Sequence, residues 1–204
     1  VVLAPADMPA ALASGKVSGF IVAEPFNALA EVNGIGKVLR FSGDVWRDHA
    51  CCVTVVRGDL IKNNPEAAQA IVDSIAKAQL WLNSNRSSAG AYLGAYLPQA
   101  PAAITKAIND YGTAYNGTAI QHPDWKNDRI GFQPFPYPSY TSELVKQLGF
   151  TTVDGDASWL KKINLKTVHN DLVDSALVES SIKRLGGISK FGKFKTTRTE
   201  TIAP

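Results

Sequence analysis

Ala11-Leu12-Ala13-Ser14-Gly15-Lys16-Val17-Ser18-Gly19-Phe20-Ile21-Val22-Ala23-Glu24-Pro25-Phe26 decides how the chain is read. A helix opening at Pro5 or Asp7 runs through Met8, Ala11 and Leu12 and stops at Gly15, a residue suited to the position just past a helix end. Val17 to Ala23 then reads as a short apolar strand, with Gly19 its weak point. Glu24-Pro25 breaks the chain before a second helix, Phe26 to Val32, ended by Asn33-Gly34. Working outward, Val1 to Ala4, Lys37 to Phe41 and Cys51 to Val56 read as further strands. This alternation predicts an α/β fold, a mostly parallel sheet with helices on its faces. In such sheets ligands bind beyond the carboxyl ends of the strands.

After residue 57 the pattern becomes helical. Asn64-Pro65-Glu66 supplies an N-cap and a proline at the first helical position, where its missing N–H costs nothing. Ile71, Ile75, Ala78 and Leu82 then recur on one helical face, the expected buried side. Further helices are predicted at about 87–96, 101–112, 139–148, 157–163 and 174–185. Between them, His122 to Pro138 is irregular and rich in proline and aromatic residues.

The 204 residues are 45% hydrophobic and 19% charged, ordinary for a globular protein with a sizeable core. Apolar runs such as Phe20 to Val22 are far too short to cross a bilayer. A net charge of +3 is too weak to call for nucleic acid. Lys183, Arg184, Lys190, Lys193, Lys195 and Arg198 gather near the end without an aromatic ladder, and read as a solvated basic tail. The two cysteines, Cys51 and Cys52, are adjacent, with α-carbons about 3.8 Å apart, and are not expected to bridge. At least one should be a small buried side chain in the apolar run Val53 to Val56. The three histidines are scattered, and no metal-ligand spacing, nucleophile elbow or dinucleotide loop is present. No catalytic residue, metal or cofactor is expected.

Residues 11–26 resemble a hallmark of the nitrate/sulfonate/taurine and thiamine-precursor (NMT1-like) class of solute-binding proteins of ABC importers. There a helix end, a strand and "EP" follow in that order. Asp59 to Glu66 leading to Ala76 to Trp81, and His169 to Val178 followed by Gly186-Gly187, resemble the same class in order and spacing. The resemblance implies a two-lobed periplasmic-binding-protein (type II) fold of three-layer α/β lobes, with this chain covering its second half. Residues 1–56 would be the closing part of the second lobe and its crossover strand, 57–190 the helical return to the first lobe, and 191–204 a basic tail. By that resemblance the amino-terminal half of a complete member is expected to lie outside this sequence. The implied function is capture of a small anion, sulfonate or heterocycle by the extracytoplasmic component of an ABC importer. That component would be periplasmic or lipid-anchored, monomeric, and partnered by a membrane permease. Rival readings on the same fold are a thiamine-pyrimidine synthase-like enzyme and the ligand-sensing domain of a regulator. The synthase pattern needs a longer cysteine run than Cys51-Cys52-Val53-Thr54-Val55 supplies.

The candidate ligand residues follow from position. Glu24 lies at a strand's carboxyl end and could accept hydrogen bonds from a ligand, or could cap the helix behind it. Phe26 and Asn27 add a ring and an amide on the same turn. Trp46, Arg47 and His49 bring a ring, a bidentate donor and a titratable group to the loop before Cys51. His122, Asp124, Trp125 and Asp128 form a second polar group, read as an exposed irregular loop.

Overall fold

A computed structural model describes residues 1–111, 115, 117–125, 131–151, 155–193 and 195–203; Asp128 and residue 112 lie outside them. Nine α-helices are found among the described residues: α1 Met8–Ala13, α2 Phe26–Val32, α3 Gly58–Asn63, α4 Pro65–Ser84, α5 Arg86–Gly94, α6 Pro101–Asn109, α7 Pro138–Leu148, α8 Val168–Leu172 and α9 Ala176–Arg184. Their ends follow the residues that sequence reading singled out. Gly15 and Gly34 have φ of 70° and 65° just past α1 and α2, a region open to glycine without a Cβ penalty. Asn64 Oδ1 accepts the Ala67 N–H at 3.1 Å, capping α4. The expected helix at 157–163 is a 3-10 turn, Ser158–Lys162.

The four predicted strands form no β-ladder among the described residues; a single antiparallel bridge joins Trp46 to Ile202. A strand is fixed by a neighbouring backbone and by burial of one face. Here Val2, Ile21, Leu39 and Val55 are 99, 93, 73 and 87% exposed, so the burial that would hold a sheet is lacking. Cys51 and Cys52 are both exposed and not disulfide-bonded. The expected burial of one of them fails for the same reason.

Two compact units divide the chain, one of Val1–Cys51, Leu82–Gly131 and Ile202–Pro204, the other of Cys52–Trp81 and Phe132–Thr201. The division falls between the two cysteines, within α4, between Gly131 and Phe132, and near the chain's end.

In the first unit, Ala28 of α2 and Ala103 and Ala107 of α6 are buried with Tyr111, Tyr115 and Ala119, and Phe41 packs on them. Phe41 meets the Tyr111 and Tyr115 rings edge-on at 4.9 and 5.0 Å. Helices α5 and α6 close around Ala89, Ile104 and Ile108. A Cβ on Gly90 would lie 2.6 Å from Thr105 Oγ1 and 3.0 Å from its Cα, so glycine is what lets these helices approach.

In the second unit, Ala76, Ile182 and Phe191 form the core, with Leu80 and Phe135 packed against it. The buried strip of α4 is therefore Ala68 and Ala76, while Ile71 and Ile75 are exposed. The small strip wins because α9 docks through polar bonds beside it. Gln69 Nε2 donates to Leu177 O and Ser181 Oγ, each at 2.9 Å, and Asp73 accepts from Ser181 and Arg184. Near the end of the chain Lys183, Arg184, Lys190, Lys193 and Lys195 are exposed, while Arg198 is half-buried. Arg198 pairs with Glu200 at 2.7 Å and lies over the Tyr137 ring at 4.2 Å. Residues 202–203 belong to the first unit, where Ala203 N–H donates to Val45 O at 2.7 Å.

Candidate functional site

The predicted ligand residues fall on two turns of the first unit. The first turn closes on itself. Asn27 Nδ2 donates to Val22 O at 2.8 Å and to Glu24 Oε1 at 3.0 Å, and Ala28 N–H donates to Glu24 Oε2 at 3.1 Å. The Glu24–Pro25 peptide is cis. Both Glu24 oxygens thus bind groups of the turn that starts α2, the helix-capping role weighed from the sequence. Burial pushes the Glu24 carboxyl above the usual carboxylate range, and the bonds from Ala28 and Asn27 work against that rise. Phe26 and Asn27 are half-buried beside it.

One turn of chain pairing lies behind this segment. Glu31, on α2, accepts the Val38 N–H at 3.0 Å and the Tyr111 O–H at 2.6 Å, and Lys106 Nζ stands 3.6 Å from it. Desolvation raises the Glu31 pKa, but the Tyr111, Val38 and Lys106 contacts outweigh it, so the group lies below its ordinary value. This network ties α2, α6 and the segment after Gly36 together, and so fixes where the first turn sits.

The second turn begins with a 3-10 turn at Ser42–Asp44. Trp46 N–H donates to Ser42 O at 2.8 Å and His49 N–H to Trp46 O at 3.1 Å. Asp48 sits at φ 52°, a left-handed conformation that Asp tolerates better than most residues. Trp46 is buried, and the His49 ring stands edge-on to it at 5.7 Å. Arg47 is exposed, with its Nε 3.9 Å from Asp48 Oδ2.

Asp44 is the residue that sequence reasoning passed over. It is 1% exposed, its Oδ1 accepts the His122 N–H at 3.0 Å, and Arg40 Nη2 donates to its carbonyl at 2.9 Å. The only signal for it was an acid within a Ser-Gly-Asp turn. Through Asp44 the second polar group, His122 to Trp125, comes to the Trp46–His49 turn. His122 stacks on Trp125 with centroids 3.6 Å apart and planes 9° from parallel.

A shallow depression of about 480 Å³ lies in the second unit, lined by Asn170, Asp171, Asp174, Ser175 and Glu179 among others. Three carboxylates on its lining make it unsuited to an anion. Among the described residues, no group of three or more His, Cys, Asp or Glu could hold a metal ion. Among the described residues no helix is long and apolar enough to cross a membrane.

Residues 1–93, which carry both turns, match the model of the NMT1-like family. The nitrate/nitrite binding protein NrtA of Nostoc sp. strain PCC 7120 is 40% identical over 77 residues, 38% of this chain and 18% of that protein. The bicarbonate transport ATP-binding protein CmpC of Synechocystis sp. strain PCC 6803 is 32% identical over 74 residues, 36% of this chain and 11% of that protein. The crystal structure of the periplasmic nitrate-binding protein NrtA from Synechocystis PCC 6803 superposes with a TM-score of 0.72 at 18% identity. It covers 97% of this chain and 52% of that one, so the chain spans about half the length of that solved protein. The match puts the fold in the two-lobed, type II class expected from the sequence, although the strands of residues 1–56 stand unladdered here. Residues 1–93 are thus similar to the NMT1-like family, and the chain has the fold of about half of a solved periplasmic nitrate-binding protein.

Proposed function

We propose that this chain is part of the extracytoplasmic solute-binding component of an ABC importer, capturing a small anion without converting it. The observation that carries the reading is the 40% identity over 77 residues to a nitrate/nitrite binding protein, together with the family match over residues 1–93, where both candidate turns lie. The relation to proteins named as ATP-binding subunits of bicarbonate transport supports an importer with a membrane permease as partner.

In this reading the ligand lies against the turn from Ala23 to Asn27 and near that from Trp46 to His49. Glu24 fixes the first turn through its two accepted hydrogen bonds. Backbone and the Trp46, Arg47 and His49 side chains then offer the donors and the ring, while Asn27, whose Nδ2 donates to Val22 O and Glu24 Oε1, leaves its amide oxygen beside the ligand. Selective capture requires complementary hydrogen bonds and burial, and no bond to substrate is broken. Phe26 closes the apolar side of the turn. The component acts as a monomer.

Calorimetry of the protein against nitrate, bicarbonate, taurine and an aminopyrimidine tests this. One of the anions should bind saturably and be recovered unchanged. Conversion of the bound molecule by the purified protein would overturn the reading.

A further inference from the structure

The Trp46–His49 turn and the segment 121–125 are joined by a buried acid rather than by chance proximity in sequence. Asp44 begins the first and accepts the backbone N–H of His122 in the second at 3.0 Å. Each segment carries one indole and one imidazole in contact, edge-on at 5.7 Å in the pair Trp46–His49 and stacked at 3.6 Å in the pair His122–Trp125. The backbone N–H of Asp124 donates to His122 Nδ1 at 3.2 Å. In the neutral ring the proton then sits on Nε2, which becomes a hydrogen-bond donor. Stacking on Trp125 holds the plane of that ring, so the donor points in a set direction.

We propose that residues 121–125 form a second wall of the anion site, with His122 donating from Nε2 to the same oxyanion that the Trp46–His49 turn meets. This rests on the anion-binding reading above and adds to it a segment far away in the chain. Charge narrows the ligand. Arg40 donates to the Asp44 carbonyl and Arg47 faces Asp48, while Asp124 contributes a further carboxylate beside His122. With three acids against two arginines, repulsion penalises a doubly charged oxyanion more than a singly charged one, so the binding must come from directed donors such as His122 Nε2.

The chain has three histidines, which makes imidazole proton–carbon NMR a direct test. His169 belongs to the other compact unit, where its Nδ1 meets Thr141 Oγ1 at 2.9 Å, and it serves as an internal reference. Sodium nitrate would be titrated into the 204-residue protein, with sodium chloride at matched ionic strength as control. The His49 and His122 signals should move along one isotherm while His169 stays fixed. His122→Phe keeps the backbone N–H bonded to Asp44 and a ring to stack on Trp125 but removes the Nε2 donor, and it should weaken nitrate binding by about tenfold or more, the usual effect of one lost hydrogen bond to a charged group. An unchanged ligand-free His49 signal, from the same compact unit as His122, would show that variant to be folded there. A His122 signal that stays fixed while His49 shifts would remove residues 121–125 from the site and leave the functional reading standing. Fixed signals at both positions, with no calorimetric uptake of nitrate or bicarbonate, would overturn the functional reading and this inference with it.

Discussion

Glu24 and Glu31 stand two helical turns apart on either end of α2, and both carboxylates are bound within the protein. Position in the sequence made Glu24 visible, since an acid between an apolar run and a proline lies where α/β folds bind ligands. The donors that occupy it, Asn27 Nδ2 and Ala28 N–H, lie three and four residues on and follow from local geometry that periodicity does not encode. The Glu31 network was not legible at all, because Tyr111 lies 80 residues away. Tyr111 is 1% exposed, so Tyr111→Phe keeps the ring packing and removes only the O–H. Loss of a hydrogen bond to a charged group should cost about 1.5–3 kcal/mol, read as a lower urea midpoint with an unchanged slope. The Glu31 carboxyl should also titrate higher in the variant, because the Tyr111 bond is the largest effect lowering it. His169 gives a pH prediction in the second unit. Burial lowers its pKa below the free value near 6.5, so the unfolded chain binds this proton more readily than the folded one. The stability it allows is full above about 6.5, the unfolded value, and is lost as pH falls through the folded pKa. Thermal melts should therefore fall more steeply below that pH in the wild type than in His169→Gln.

Helix ends were legible and strands were not. Gly15, Gly34 and Asn64 act through their own backbone or side chain, so a short window contains all the physics that places them. A strand is completed by a partner elsewhere, and the apolar alternation of Val53 and Val55 says nothing about whether one is adjacent. The buried strip of α4 shows the same limit. Size and hydrophobicity favoured Ile71 and Ile75, yet Gln69, Asp73 and Ala76 face α9, because hydrogen bonds to Ser181 and Leu177 fix that side. The α5–α6 contact offers a direct test of such close approach. Gly90→Ala would add a helix-favouring methyl, worth about 1 kcal/mol by itself, but place it 2.6 Å from Thr105 Oγ1 and 3.0 Å from its Cα. Overpacking of this kind costs about 1–3 kcal/mol, so the variant should be neutral to about 2 kcal/mol less stable. Thr105→Ala removes the nearest atom, and the double variant should recover part of the loss in a denaturant cycle. Equal effects of Gly90→Ala in both backgrounds would show that the hydroxyl contact does not matter.

At the scale of the whole chain, the two compact units draw on segments that alternate along the sequence, and each has a core of its own. Ala28, Ala107 and Tyr111 anchor the first, and Ala76, Ile182 and Phe191 the second. Cooperative opening follows buried contacts rather than chain order. Amide exchange should therefore sort α2, α5 and α6 into one protected group and α7 and α9 into another. The amides of α4 should divide near the Trp81–Leu82 boundary between the units. Residues 17–23 and 51–56 should exchange fastest, since no ladder protects them and Ile21 and Val55 are 93 and 87% exposed. Tyr111→Phe supplies the perturbation that tests this grouping. It should speed exchange in α2, α5 and α6, because α6 carries residues of both the Tyr111 core (Ala103, Ala107) and the α5 core (Ile104, Ile108). Protection in α7 and α9, which pack in the other unit, should change little. A uniform loss of protection across all five helices would mean that the two cores open as one, and that the division by contacts has no energetic counterpart.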